Sequence, residues 1–402
     1  MARIRFDLRW DSATARHCDS LIAPRLNLWR DLLPPELEPD LMDRPRGHRA
    51  ERRFAPGELV PQFDPRRLVS VPNERFDRGF LGRGYVQPRR GRFYPKAILR
   101  DLGKVAGGSF QSDQSPCRLT EIDGERIGVD FNHPLAERPL TLSATIESIW
   151  SAGDEHGGRC NEVAELVTAN GPGMQARWRD LPTDFWSDRP YLRTDEGPDP
   201  DFYREPRLVD HLDRTAIGEI GALYGRLIEP GARILDLMSS WHSHLPEPLC
   251  RGEVVGLGMN ALELAQNPAL AERVVQDLNA HPVLPFADGA FDAAVCTVSV
   301  EYLTRPFEVF RELARVLKPG APLVVAFSNR WFPPKAIRLW EALHEFERPG
   351  LVLEYFLESG RFEGLETWSL RGLPRPADDK YADRLALSDP VYAVWGLKAG
   401  PR

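Results

Sequence analysis

The chain has 402 residues, 42% of them apolar, and a formal net charge of −7. That length favours two domains, each with enough apolar and aromatic side chains to bury a core of its own. No run approaches the roughly 18–20 apolar residues of a membrane-spanning helix, and an acidic whole speaks against nucleic acid as the main partner. The opening stretch MARIRFDLRW lacks the apolar segment of a signal peptide. Cys18, Cys117, Cys160, Cys250 and Cys296 are scattered, with no CxxC pair. Reduced thiols in a cytoplasmic protein are therefore expected.

Charge is uneven: residues 1–150 carry 25 Lys and Arg against 21 Asp and Glu, and the remainder 27 against 38. Along the first part the signals are β-type. RFDLRW (Arg5 to Trp10) alternates, and CRLTEIDGERIGVDF (Cys117 to Phe131) predicts a hairpin turning at Asp123-Gly124. LTLSATIESIW (Leu140 to Trp150) alternates again, with Leu142, Ala144 and Ile146 on one face. A basic run from Gln87 to Lys104 has interleaved aromatics and reads as a solvated surface sooner than an RNA contact. Short strands and few helices predict a small antiparallel, barrel-like or α+β domain over residues 1–150. The polar stretch Ser151 to Cys160 and the Pro- and Asp-rich stretch Trp186 to Pro206 read as joints, which makes residues 151–200 a linker region.

Beyond it, helix and strand alternate over residues 201–402. Apolar spacing predicts a helix over Arg207 to Ile228, with Arg207 and His211 on one face and Tyr203 a turn earlier. RILDLM (Arg233 to Met238), EVVGLG (Glu253 to Gly258), FDAAVCTVSV (Phe291 to Val300) and APLVVAFSN (Ala321 to Asn329) are strands. Asn260 suits a helix N-cap, and Pro306 to Gly320 forms an amphipathic helix. The alternation predicts βαβ units on a mostly parallel sheet. Its ligand crevice lies at the carboxyl ends of the strands, where Met238, Gly258, Val298 and Ser328 fall.

The ordered string LPFADGAFDAAVCTVSVEYLTRPFEVFRELARVLKPGAPLVVAF (Leu284 to Phe327) resembles the class I S-adenosylmethionine-dependent methyltransferases of the type 11 group. The resemblance implies a Rossmann-like α/β sheet and S-adenosylmethionine as cofactor. It departs at the first loop: Asp236 is present, but Met238, Ser239, Ser240 and Trp241 stand where that family has glycines. At the second strand Gly258 and then Asn260 stand where the family has an acid for the ribose. Asp277 of VVQDLN, with Leu278 beside it, is the counterpart of the acid near the adenine. Ser239 and Ser240 can bond a carboxylate or ammonium group, and Trp241 either covers the cofactor or packs beneath the sheet. Tyr203, Arg207, Asp236, Met238, Ser239, Ser240, Gly258, Asn260, Asp277, Leu278 and Val298 are thus the candidate cofactor residues. His211, His242, His244 and Tyr302 are candidate proton acceptors, needed only if the methyl acceptor is protonated. As a metal pair, His242-x-His244 lacks acids or cysteines at ligand spacing, so no metal site is expected.

DGERIGVDFNHPLAERPLTLSATIESI (Asp123 to Ile149), with ERRFAPGELVPQFDPRRLVSVPNERF (Glu51 to Phe76) upstream, resembles the SlyD-type branch of the FKBP-like peptidyl-prolyl isomerases. This implies an α+β, FKBP-like antiparallel sheet. Leu59-Val60-Pro61 replaces the family's Ala-Tyr-Gly element, and Glu137 replaces a glycine, so a fold kept for docking is expected in place of strong isomerase activity. The expected whole is a methyltransferase acting on a small-molecule or peptide acceptor. The alternatives are a non-catalytic binding or chaperone-like protein and an active isomerase fused to the methyltransferase. Oligomeric state is not set by the sequence.

Overall fold

The computed structural model describes residues 1–80, 86–100, 113–151 and 160–400. The chain folds into two compact units, residues 1–190 with 342–351 and residues 191–341 with 352–402.

The first unit holds β1 (Ala2–Asp11), β2 (Arg16–Leu26), β3 (Arg49–Phe54), β4 (Leu68–Pro72), β5 (Phe93–Pro95), β6 (Pro116–Ile122), β7 (Arg126–Asp130) and β8 (Leu140–Ile149). They make two antiparallel sheets, ordered β2-β1-β8-β3 and β4-β7-β6-β5. Alternation dictates the first: Ala2, Ile4, Phe6, Leu8 and Trp10 are buried on one face of β1, against Leu142, Ala144 and Ile146 of β8. β6 and β7 form the hairpin expected at Asp123-Gly124. Gly124 takes φ of 93°, and the Asp123 carboxylate accepts from the N–H groups of Glu125 (3.0 Å) and Arg126 (2.7 Å).

Two compositional readings are corrected here. The basic run is not a free surface in its described part, since Arg89 pairs with Asp188 at 2.9 Å and Arg92 with the buried Glu347 at 3.1 Å. Glu347 also accepts from the N–H of Phe93, which ties residues 342–351 to this unit. Residues 101–104 of that run, and residues 152–159 of the first joint, lie outside the described residues. The second correction concerns Trp186 to Pro206, which is packed structure over much of its length. In the second unit Arg193 binds Asp199 at 2.7 Å, and the fully buried Lys335 reaches Asp199 at 3.1 Å and the Gly197 carbonyl at 2.7 Å. Proline and aspartate withhold regular secondary structure there, while the charges supply the tertiary contacts that composition does not show.

The second unit contains β9 (Ile234–Leu237), β10 (Val254–Gly258), β11 (Glu272–Val275), β12 (Ala293–Thr297), β13 (Pro322–Phe327), β14 (Phe362–Arg371) and β15 (Val391–Lys398). Their order is β11-β10-β9-β12-β13-β15-β14, parallel through β13, with β15 antiparallel to both of its neighbours. This is the Rossmann-like sheet expected for the C-terminal part. Strand order reverses between β9 and β12, so the crevice opens outside their carboxyl ends. The expected helix from Arg207 is shorter than its pattern and runs over Arg214–Leu227. Asp213 caps it, accepting from Thr215 N (2.9 Å) and Ala216 N (3.2 Å), and is itself held by Ser388 Oγ at 2.9 Å. Arg207 and His211 therefore lie on the irregular segment before the helix and not on one helical face. Among the described residues no helix is long and apolar enough to cross a membrane.

Candidate functional site

A cleft of about 1150 Å³, counted out to its mouth, opens at the carboxyl ends of β9, β10, β11 and β12. Its walls bring together Tyr203, Arg207, His211, Asp236, Met238, Ser239, Ser240, His242, His244, Gly258, Asn260, Asp277, Leu278, Val298 and Tyr302, all of the candidate cofactor and proton-acceptor residues. Ser328, expected at the crevice, is instead buried with its hydroxyl on the Pro390 carbonyl at 2.5 Å.

The floor is the loop after β9. Asp236 is 2% exposed, and its Oδ2 accepts from Ser239 Oγ at 2.5 Å and Ser243 Oγ at 2.6 Å. Burial pushes this carboxyl up to about 6, against the opposing pull of the two hydroxyls. Buried Asn267 donates to Ser243 Oγ (2.8 Å) and to the Ser240 carbonyl (2.9 Å). Met238, His244 and Val298 line the cleft with φ of 57°, 54° and 48°. Left-handed backbone at non-glycine residues, one of them β-branched, is strain concentrated at one site. Gly258 is required by close approach, because a Cβ there would run into the Ser239 carbonyl oxygen.

The side walls are less free than their residue types suggest. Asn260 caps the helix Ala261–Gln266 through Oδ1, accepting from Leu262 N at 2.9 Å, while its Nδ2 donates to the carbonyls of Tyr203 (2.8 Å) and Arg204 (3.1 Å). Its amide positions the wall. Glu263, which sequence reasoning missed, accepts from Ser240 Oγ and from Arg207 N, both at 2.7 Å. Asp277 Oδ1 accepts from Asn279 N at 2.8 Å, which turns the chain so that Leu278 lies against the cleft. Trp241 donates to the Val209 carbonyl at 3.1 Å, pinning the segment that carries Asp210 and His211.

Arg207 lies among Phe202, Tyr203 and Phe332, its guanidinium carbon 4.6, 5.6 and 5.1 Å from their ring centres. Its Nη1 is buried with no hydrogen-bond partner. Arg207 as a residue lines the cleft, and a guanidinium there suits a carboxylate, the charge carried by the methionine part of S-adenosylmethionine, so the residues present fit that cofactor. The candidate proton acceptors differ in state. Burial lowers His211, and burial followed by the neighbouring His242 draws His244 down to about 4. Burial raises Tyr302 well above its ordinary value, and its hydroxyl accepts from Phe332 N at 2.8 Å. Tyr302 thus keeps its proton at neutral pH and holds Phe332 in place. Asp199, Asp210, Glu263, Asn279 and Phe332 also line the cleft. No sequence signal marked them, because they arrive from separate stretches of the chain.

Residues 241–325 match the family described as "Methyltransferase domain". The match begins at Trp241, so the strand and the glycine-poor loop up to Ser240 lie outside it. Over 240 residues the chain is 24% identical to the biotin biosynthesis bifunctional protein BioHC of Teredinibacter turnerae, covering 57% of this chain and 39% of that protein. It is 32% identical over 128 residues to the demethylmenaquinone methyltransferase of Renibacterium salmoninarum, covering 30% of this chain and 49% of that one. The chain spans less than half of the length of both relatives. A solved S-adenosylmethionine-dependent methyltransferase from Aquifex aeolicus superposes with a TM-score of 0.31 at 18% identity, over 50% of this chain and 97% of that one. The C-terminal part of the chain carries a methyltransferase domain, and the cofactor of that domain is S-adenosylmethionine.

Proposed function

We propose that residues 201–402 transfer a methyl group from S-adenosylmethionine to a small-molecule or peptide acceptor, and that residues 1–150 serve docking. The observation that carries this reading is the Arg207 guanidinium, with one nitrogen unpaired, in the wall of a cleft at the strand-order reversal of a methyltransferase-type domain. Bound, the cofactor supplies an electrophilic methyl group on a sulfonium. Arg207 would hold its carboxylate, Asp277 and Leu278 its adenine end, and Glu263 with Asn260 the side between them. Asp236, Ser239 and Ser243 keep the floor in place. Tyr203, Trp241 and Phe332 exclude water, so that positioning in a dry pocket does most of the work. A proton leaving the acceptor goes to one of the imidazoles His211, His242 or His244. Calorimetry on the full chain tests the reading: S-adenosylmethionine and S-adenosylhomocysteine should both bind, and no binding of either at about millimolar ligand overturns it.

A second reading, a non-catalytic binding protein, is favoured by Asn260 and Glu263, whose polar atoms are engaged within the protein. A nucleoside retained through purification, without turnover of any acceptor, would decide for it. For the first unit, the FKBP-like docking role draws support from a second cavity lined by Phe63, Phe93, Arg118, His133 and Trp178, beside the Asn132-His133-Pro134 string. A protease-coupled proline assay on the full chain should show little isomerisation. Turnover equal to that of an active SlyD-type protein would replace docking with a second activity. The unpaired state of all five cysteines supports the cytoplasm as the compartment.

A further inference from the structure

Asp210, His242 and His244 each offer one ligand atom within 4.8 Å of the other two, and among the described residues they are the one group of three that does so. Asp210 stands 32 residues before His242, yet its Oδ1 lies 3.0 Å from His242 Nδ1. First-row divalent cations hold N and O ligands at about 2.0–2.2 Å, which sets neighbouring ligand atoms about 3.0–3.4 Å apart. The Asp210–His242 pair already has that separation, and a turn of the His244 ring closes the third side. Three further observations show that this corner is built. Trp241 Nε1 holds the Val209 carbonyl at 3.1 Å, fixing Asp210 against the loop. The left-handed backbone at His244 (φ 54°) brings its ring to 4.4 Å from that of His242. His244 Nδ1 is buried with no hydrogen-bond partner. An imidazole nitrogen without a partner, beside a second imidazole and a carboxylate, is the donor set of a two-histidine, one-carboxylate site.

We propose that Asp210, His242 and His244 bind a first-row divalent cation of the zinc, manganese or iron(II) type at the wall of the cleft. Three protein ligands leave coordination positions open in the wall of the cleft that Arg207 and Asp277 also line, and with the cation bound His211 is the candidate imidazole left to take a proton. They take the oxygen atoms of a hydroxylated methyl acceptor, which narrows the acceptor class. This last step rests on the methyl-transfer reading, whereas cation binding itself does not.

The experiment uses the full chain, freed of metal by a chelator and titrated with cobalt(II), whose visible absorption reports coordination. One equivalent should bind with a histidine-ligated spectrum, and zinc should displace it. His244→Asn keeps a residue tolerant of left-handed backbone, and Asp210→Asn and His242→Gln remove the other ligands singly. Each should weaken cobalt binding about tenfold or more, with the circular dichroism of the wild type confirming the fold. If His244→Asn does not fold, the other two variants decide. No cobalt spectrum, or an unchanged affinity in the variants, overturns the proposal. Calorimetry with S-adenosylmethionine on the metal-free chain separates the two readings: cofactor binding without cobalt binding ends this inference alone, and cobalt binding without cofactor binding ends the methyltransferase reading alone.

Discussion

Asp236 combines a buried carboxyl with a place on the floor of the cleft, so one substitution reads both stability and function. Burial lifts its pKa from 3.8 to about 6, with Ser239 and Ser243 holding it back from rising further. At 1.36 kcal/mol per pKa unit, that difference corresponds to about 3 kcal/mol. The folded chain keeps this proton up to about pH 6, whereas the unfolded chain releases it near 3.8. The group therefore subtracts stability as pH rises between those values, and the loss is complete at neutral pH. Asp236→Asn resembles the protonated side chain and still offers an oxygen to the serines. At pH 7 the variant should be more stable than the wild type by up to about 3 kcal/mol, and the gap should close towards pH 4.

Urea unfolding of both chains from about pH 4.5 to 7.5, followed by tryptophan fluorescence, measures the gap. Comparing the two chains at each pH cancels the carboxylates they share. A gap that does not vary with pH, or a variant weaker than the wild type at pH 7, refutes the reasoning. The same variant should bind S-adenosylmethionine less tightly, since an acid kept at such a cost is expected to serve the ligand. Equal affinity would take Asp236 out of the site.

Arg207→Ala should weaken S-adenosylmethionine binding by about 1.5–3 kcal/mol, the range of a charged hydrogen bond, and calorimetry reads it directly. Gly258→Ala drives a methyl group into the Ser239 carbonyl and should lower the melting temperature as a strain of about 1–3 kcal/mol does, with loss of cofactor binding. Val298→Gly relieves a left-handed β-branched residue and should leave thermal stability unchanged or raised by about 1 kcal/mol. In the first unit, Arg92→Met strands the buried Glu347, and a loss of about 3–5 kcal/mol is expected in denaturant unfolding.

The sheet of the second unit was legible because its strands are short apolar runs with turn residues at their ends. Val254 to Gly258 and Ala293 to Thr297 allow little else. The helix start was not. Apolar periodicity runs unbroken from Leu208 through Leu227, and Asp213, capping Thr215 N and Ala216 N while held by Ser388 Oγ and Asp389 N, sets the first turn at Arg214. The Pro- and Asp-rich stretch failed for a related reason. A segment without regular structure looks like a linker until its partners are known, and here Asp199 is held by Asn279 and Lys335, which lie far along the chain, as well as by the nearby Arg193.

The site was legible by position more than by role. Strand ends fix where Met238, Gly258 and Val298 must fall, whatever their side chains do. Roles depend on partners: Asn260 read both as a helix N-cap and as a ribose-side contact, and its amide is engaged in the cap, while Glu263 three residues later faces the cleft unannounced. The loop after β9 shows why missing glycines need not close a pocket. Glycine serves such a turn by adopting positive φ freely, and Met238 adopts 57° here without that freedom. A left-handed non-glycine residue costs about 1–2 kcal/mol. Against it stand Ser239 N on the Leu257 carbonyl (2.8 Å), two hydroxyls on Asp236, and Asn267 bridging Ser240 and Ser243. At about 0.5–1.5 kcal/mol for each of the three neutral bonds, those bonds offset the strain at Met238, while the two hydroxyls work against the burial cost of the Asp236 carboxyl. The two serines and the asparagine therefore do by hydrogen bonding what glycines do by omission, and the crevice above them stays open.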